Sequence, residues 1–187
     1  LDEAGVAEHS TTESFVAARF HVDNWRWRGV PFYLRTGKRM QRKRSLVAIR
    51  FRDPPQLLFP DMPVDSMGSN WLTLSIQPEE NIRLQMYARE PGLDSRTRTL
   101  HFDTVYRQED DEKIDAYQSL LLDVIEGDRS LFIRFDEVEE SWAVVEPILQ
   151  HWQKQPELNI SYAAGSWGPA EAERLFIRPH HAWRNQA

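Results

Sequence analysis

The period of the apolar pattern changes once along this 187-residue chain, near Arg107, and that change points to strands first and helices after. From Thr11 to about Arg107 the pattern alternates. Val16, Ala18, Phe20 and Val22 interleave with Phe15, Ala17, Arg19 and His21, the two-residue period of a strand. Further runs follow at Phe32–Arg35, Leu46–Arg52, Trp71–Gln77, Ile82–Arg89 and Thr97–Tyr106. Asp53-Pro54-Pro55, Phe59-Pro60-Asp61-Met62-Pro63 and Pro78-Glu79-Glu80-Asn81 would each interrupt a ladder and so separate the runs. No segment between them is long enough for a helical crossover, so the expected sheet is mainly antiparallel. In Ile82–Arg89 the alternation puts Ile82, Leu84, Met86 and Ala88 on a covered face and Arg83, Gln85, Tyr87 and Arg89 on a polar one.

Beyond Arg107 the spacing becomes helical. Ile114, Tyr117, Leu121 and Val124 share a helix face, with Asp110 or Asp111 as cap and Gly127 as stop. Asp136-Glu137-Val138-Glu139 resembles a capping box with Asp in place of Ser or Thr. The helix it opens would present Val138, Trp142, Val145, Leu149 and Trp152, with Pro147 expected to kink or divide it. A last short helix is expected from Pro169, a favoured first-turn residue. The class is α+β: a large, mainly antiparallel sheet (strand-rich 11–107) with helices (helix-rich 110–178) packed on one face. A sheet face of that size needs more cover than these helices supply, and part of the cover is expected to lie outside the chain.

Charge and composition remove several functions. A formal charge of −6 opposes general attraction to nucleic acid or anionic lipid. The absence of Cys excludes disulfides, thiolate zinc sites and a thiol nucleophile, and fits a reducing, cytoplasmic setting. No apolar run approaches the roughly 20 residues that cross a bilayer. No secretory signal opens the chain, and a start at Leu1 rather than Met suggests a non-native N-terminus.

The segment most open to chemistry is Arg35-Thr36-Gly37-Lys38-Arg39-Met40-Gln41-Arg42-Lys43-Arg44, a cationic cluster in an acidic protein. Lys38 and Lys43 would sit in a loop where ammonium groups can converge on an anion such as a phosphate. The plain alternative is a solvated basic loop or a blunted sheet edge. Asp23-Asn24-Trp25-Arg26-Trp27-Arg28-Gly29-Val30-Pro31-Phe32 reads as core packing with an Arg stacked on a Trp. Asp115, Asp123, Glu137, Glu139 and Glu140 show no His or metal-ligand spacing and read as solvent-facing. His180-His181 reads as a C-terminal tail, and no metal site is expected. There is no G-x-G-x-x-G, no P-loop and no G-x-S-x-G.

Asp23 to Met40 resembles the same stretch of bacterial glucose-6-phosphate dehydrogenases almost without change. Three further stretches agree in order: Ser75-Ile76-Gln77-Pro78-Glu79-Glu80, Asp115 to Asp128, and Tyr162-Ala163-Ala164-Gly165-Ser166-Trp167-Gly168-Pro169. The resemblance covers nearly the whole chain. It implies oxidation of glucose 6-phosphate to 6-phosphogluconolactone with NADP or sometimes NAD, in the oxidative pentose phosphate pathway. It implies that Lys38 and Lys43 hold the sugar phosphate and its hydroxyls, with Gln77 as a lesser polar contact. Arg35 falls where some members bind a second, structural NADP. Ala48, Ser75, Arg83 and Gln85 stand where partly basic and aromatic partners would be needed, so no structural NADP is expected and Arg35 is read as a local structural cation.

The family's Gly-rich dinucleotide turn, its Asp-His-Tyr-Leu-Gly-Lys-Glu motif and its later general-base histidine do not occur in these residues. None of His9, His21, His101, His151, His180 or His181 has the required context. The resemblance therefore implies a C-terminal part that brings substrate lysines and a sheet surface for a homodimer or homotetramer. It would lack the N-terminal Rossmann domain and would be inactive alone. The alternative is a truncated paralogue acting as a binding or assembly module.

Overall fold

The computed structural model describes residues 5–7, 10–53, 68–92, 96–105, 116–156 and 160–185. The expected strands all form. They are β1 (Phe15–Phe20), β2 (Phe32–Gly37), β3 (Ser45–Arg50), β4 (Trp71–Gln77), β5 (Asn81–Arg89) and β6 (Thr97–Val105). Among the described residues their ladders make two sheets, β1-β2 and β3-β4-β5-β6, and every pairing is antiparallel. By internal contacts the chain divides into two compact units. Leu1–Met40 joins Glu112–Leu175 in the first, and Gln41–Asp111 joins Phe176–Ala187 in the second.

In the first unit β1 and β2 are matched residue for residue, from Phe15 opposite Gly37 to Phe20 opposite Phe32. The turn between them is held by Asn24, whose side-chain oxygen accepts from the amides of Arg26 (3.1 Å) and Trp27 (2.9 Å). An Arg does stack on a Trp here, with Arg26 lying 5.3 Å from the Trp25 ring. Trp25 is nonetheless 87% exposed, so this turn is not core. Its aromatic density is used locally instead, with Trp27 set edge-on to Phe32.

α1 (Ala116–Glu126) and α2 (Phe135–Lys154) follow. The expected caps Asp110 and Asp111 lie outside the described residues, as does Ile114. Gly127 does end α1: its φ of 74° is left-handed, and the amide of Asp128 donates back to the Asp123 carbonyl at 2.9 Å. α2 begins before the expected box. Arg134 is the cap, and its amide donates to Glu137 Oε2 at 2.8 Å. Asp136 already lies in the first turn, where its carboxylate binds the Arg134 guanidinium. Pro147 sits inside one unbroken helix. A 3-10 helix, Ala170–Leu175, starts directly after Pro169, and its Ala172 is buried. From β1, Arg19 donates to the Leu175 carbonyl.

In the second unit β5 is partly sheltered on both faces. On the apolar face Leu84 and Ala88 are half-buried while Ile82 and Met86 are exposed (40% and 38%), and on the other Arg83, Gln85 and Tyr87 are half-buried while Arg89 is exposed. The register explains which residues share a side. Val47 and Ile49 lie opposite Leu74 and Leu72, which lie opposite Ile82 and Leu84, and these face Thr104 and Phe102. That is one continuous apolar face, and Val47, Ile49, Ile82, Met86 and Phe102 are exposed on it. The opposite face carries Trp71, Thr73 and Ser75, with Thr73 and Ser75 among the few buried residues. Its cover is the segment 176–185. The Arg184 guanidinium lies 4.7 Å from the Trp71 ring and donates to Gln85 Oε1 at 2.9 Å, while Arg44 donates to the Asn185 carbonyl at 3.1 Å.

Two glycines in the first unit differ in what surrounds them. Gly165 (φ 78°) faces open space, whereas a Cβ on Gly168 (φ 101°) would run into the Phe15 ring. Gly165→Ala should cost about 1–2 kcal/mol from backbone strain alone. Gly168→Ala should add an overpacking cost of roughly 1–3 kcal/mol. Urea unfolding of the two variants measures the difference, and equal losses would mean that Phe15 yields freely.

Candidate functional site

The cationic segment runs across the two units. Lys38, at the exit of β2, belongs to the first, and Lys43, just before β3, belongs to the second. Both side chains are exposed. Among the described residues neither ammonium group has a carboxylate within ion-pair distance.

The backbone at Lys38 is held firmly. Its amide donates to the Ser14 carbonyl at 2.8 Å, and its carbonyl accepts from the Tyr162 hydroxyl at 2.5 Å. Next to it, Arg39 has φ 49°, a left-handed value for a residue with a Cβ. The Arg39 carbonyl accepts from the Gly165 amide at 2.8 Å. The Tyr162 ring packs against Phe15 with centroids 5.3 Å apart. A Cβ on Gly37 would meet the Phe15 ring at 2.8 Å, which accounts for the glycine at the end of β2. Two residues earlier, Arg35 lies 5.2 Å from the Trp167 ring and donates to the Trp167 carbonyl at 3.2 Å. Burial lowers the Arg35 pKa from its ordinary value, because the charged form loses hydration.

In the second unit, Ser45 at the start of β3 lies opposite Gln77 at the end of β4. The register therefore places Gln77 at the end of the sheet that Lys43 leads into. Gln77 is exposed, and the Gln77–Pro78 bond is cis. The remaining positions singled out in the sequence lie on or beside the polar face. Ala48 is half-buried, and Ser75 and Asn81 pair across the β4-β5 turn. Ser75 Oγ and Asn81 Oδ1 are buried with no hydrogen-bond partner among the described residues. Arg83 is bound to Asp103, and Gln85 accepts from Arg184. Tyr162, Trp167, Trp71 and Arg184 were not distinguished as contacts by sequence reasoning. Tyr162 and Trp167 stand in a stretch that carries the family resemblance, which was the one available signal.

His180 and His181 form an edge-on ring pair 5.0 Å apart. Among the described residues no group of three or more His, Cys, Asp or Glu is gathered as a metal site, and no helix is long and apolar enough to cross a membrane. Nearby, Arg50 grips both oxygens of Asp53 at 3.0 and 2.9 Å, and this hydrogen-bonded contact holds the Asp53 carboxyl below its usual pKa. Asp115 lies outside the described residues, Asp123 is half-buried, and Glu137, Glu139 and Glu140 are exposed.

Residues 1–184 match the family described as glucose-6-phosphate dehydrogenase, C-terminal domain. The chain is 46% identical over 180 residues to glucose-6-phosphate 1-dehydrogenase of Mycolicibacterium smegmatis, covering 96% of this chain and 36% of that protein. It is 39% identical to the Dickeya dadantii enzyme, covering 98% of this chain and 38% of that protein. A crystal structure of the Mycobacterium avium enzyme superposes with a TM-score of 0.80 at 35% identity, over 98% of this chain and 38% of the other. A structure of a glucose-6-phosphate dehydrogenase in complex with glucose 6-phosphate does so with a TM-score of 0.81 at 31% identity, over 98% of this chain and 37% of the other. The chain thus spans little more than a third of the length of these relatives.

Burial first, and then the positive charges of His180, Arg178 and Arg50, lower the His181 pKa. A histidine whose folded pKa is depressed stabilises the fold fully above its ordinary value of about 6.5 and loses that contribution as pH falls through the lowered value. Hydrogen-exchange protection of residues 176–185 should therefore hold above about pH 6.5, the ordinary imidazole value, and fall as pH drops below it toward the lowered one. His181→Gln should flatten that fall, and an unchanged profile would exclude His181 as its origin.

Proposed function

Because the chain belongs to the glucose-6-phosphate dehydrogenase C-terminal domain family, we propose that it supplies the lysines that hold the sugar phosphate in an NADP-dependent, cytoplasmic oxidation of glucose 6-phosphate to 6-phosphogluconolactone. The observation that carries this reading is the family match over residues 1–184, together with exposed lysines flanking the β2–β3 connection. Lys38 and Lys43 each bring a compact positive charge with three donors, suited to the oxygens of a phosphate dianion. Gln77, exposed at the sheet end next to Lys43 by register, has the donor and acceptor needed for a sugar hydroxyl. Arg35, stacked on Trp167, serves as a local structural cation in this reading, with no second NADP.

The reading assigns NADP, and the histidine that removes the hydroxyl proton, to a Rossmann-bearing part of the dehydrogenase, where a Gly-rich turn from a parallel strand into a helix would seat the pyrophosphate. It also has the chain assemble as a homodimer or homotetramer through the four-stranded sheet, whose apolar face is exposed.

In the complete dehydrogenase, Lys38→Ala and Lys43→Ala should each raise KM for glucose 6-phosphate roughly ten- to a hundredfold, the cost of a lost charge-assisted contact. The KM for NADP should stay where it is. Steady-state kinetics decide: unchanged KM values for the sugar phosphate would leave both lysines as solvated surface. The purified 187-residue chain should not reduce NADP with glucose 6-phosphate, and measurable turnover would sink the claim that it is inactive alone.

A further inference from the structure

Lys38 is a cation of the basic segment whose backbone is pinned from both sides, and the residue that completes the pinning is Tyr162. The peptide plane before the Lys38 Cα is held by its amide, which donates to the Ser14 carbonyl at 2.8 Å. The plane after it is held by its carbonyl, which accepts from the Tyr162 hydroxyl at 2.5 Å. Fixing both planes fixes φ and ψ, and with them the direction in which the Cα–Cβ bond leaves the chain.

The next residue needs the same support. Arg39 sits at φ 49°, where a side chain crowds the backbone, and such conformations persist only when their surroundings over-determine them. The two planes that define Arg39 are held by Tyr162 on one side and by the Gly165 amide, 2.8 Å from the Arg39 carbonyl, on the other. One short segment, Tyr162–Gly165, thus sets the geometry of both residues. The phenol has only one proton, and the Ser14 carbonyl is also within reach at 3.0 Å. Of the two, the Lys38 carbonyl at 2.5 Å is the nearer acceptor.

We propose that Tyr162 is a positioning residue for sugar-phosphate binding: it touches no substrate and acts by fixing the backbone from which Lys38 projects. This rests on the assignment of Lys38 to the phosphate. A flexible lysine can reach an anion from many backbone conformations, but each must then be ordered on binding, and pre-ordering the root of the side chain removes part of that loss. The Phe15 ring, packed on the Tyr162 ring, would hold a phenylalanine in the same place, so removal of the hydroxyl isolates the hydrogen bond from the packing.

The test is a double-mutant cycle in the complete dehydrogenase. Tyr162→Phe should raise KM for glucose 6-phosphate about three- to tenfold, the range of one neutral hydrogen bond. Its kcat and its KM for NADP should stay close to those of the parent, and its thermal midpoint should fall only by the small amount that one hydrogen bond accounts for. With Lys38 already replaced by Ala, the same substitution should change nothing further. If Lys38→Ala raises KM and Tyr162→Phe does not, the positioning role is overturned while the phosphate assignment stands. Equal effects of Tyr162→Phe with and without Lys38 would also overturn it, because Tyr162 would then act through another group. An inert Lys38→Ala removes the phosphate assignment and the positioning role together.

Discussion

The register of β4 between β3 and β5 decides which side chains of the second unit can be covered and which cannot. A strand sends successive residues to opposite faces, so one alignment puts Trp71, Thr73 and Ser75 on one side and Leu72 and Leu74 on the other. The neighbouring strands repeat the choice. The polar side of the resulting sheet is the sheltered one, because Arg184 can stack on Trp71 and reach Gln85 there. A slip of β4 by one residue would send Thr73 and Ser75 to the exposed side and take the Trp71 ring away from the Arg184 guanidinium. The apolar side remains as exposed surface among the described residues.

In the first unit the comparable constraint is aromatic. Phe15 lies against the Tyr162 ring, and its own ring is so close to Gly37 and Gly168 that neither position has room for a side chain. The contact brings the end of the β1-β2 ladder to the segment 162–168 and so lines up the polar bonds around Lys38 and Arg39. Packing locates the two segments roughly, and hydrogen bonds then fix the angles. Loss of a bond here changes an orientation, whereas loss of the packing would change a location.

How far this was legible in the sequence depends on how local each interaction is. Strand positions were readable to within a residue or two, since period-two alternation and the breaks at Asp53-Pro54 and Pro78 are written in neighbouring residues. The stop at Gly127 was readable for the same reason. The start of α2 was not: Asp136 looks like a cap, but the preceding Arg134 offers the amide that Glu137 accepts. Pro147 forfeits one backbone bond without dividing α2. The shelter over the polar side of β5 was not readable, because Arg184, which reaches Gln85 there, comes 99 residues later. Lys38, Lys43 and Gln77 stood out through resemblance and a local excess of charge. Tyr162 did not, because a bond to a backbone carbonyl 124 positions away leaves no mark in the local pattern.

Both units are assembled from two separated stretches of chain, and the stretches alternate. On the ribosome this orders events in time. Arg44 emerges long before Asn185, its partner 141 residues later, and at about 5–20 residues per second the wait is roughly seven to thirty seconds. During that interval the four strands of the second unit can pair, yet the side carrying Trp71 and Thr73 has nothing to close it. Each unit thus waits, during synthesis, for a stretch of chain that arrives late.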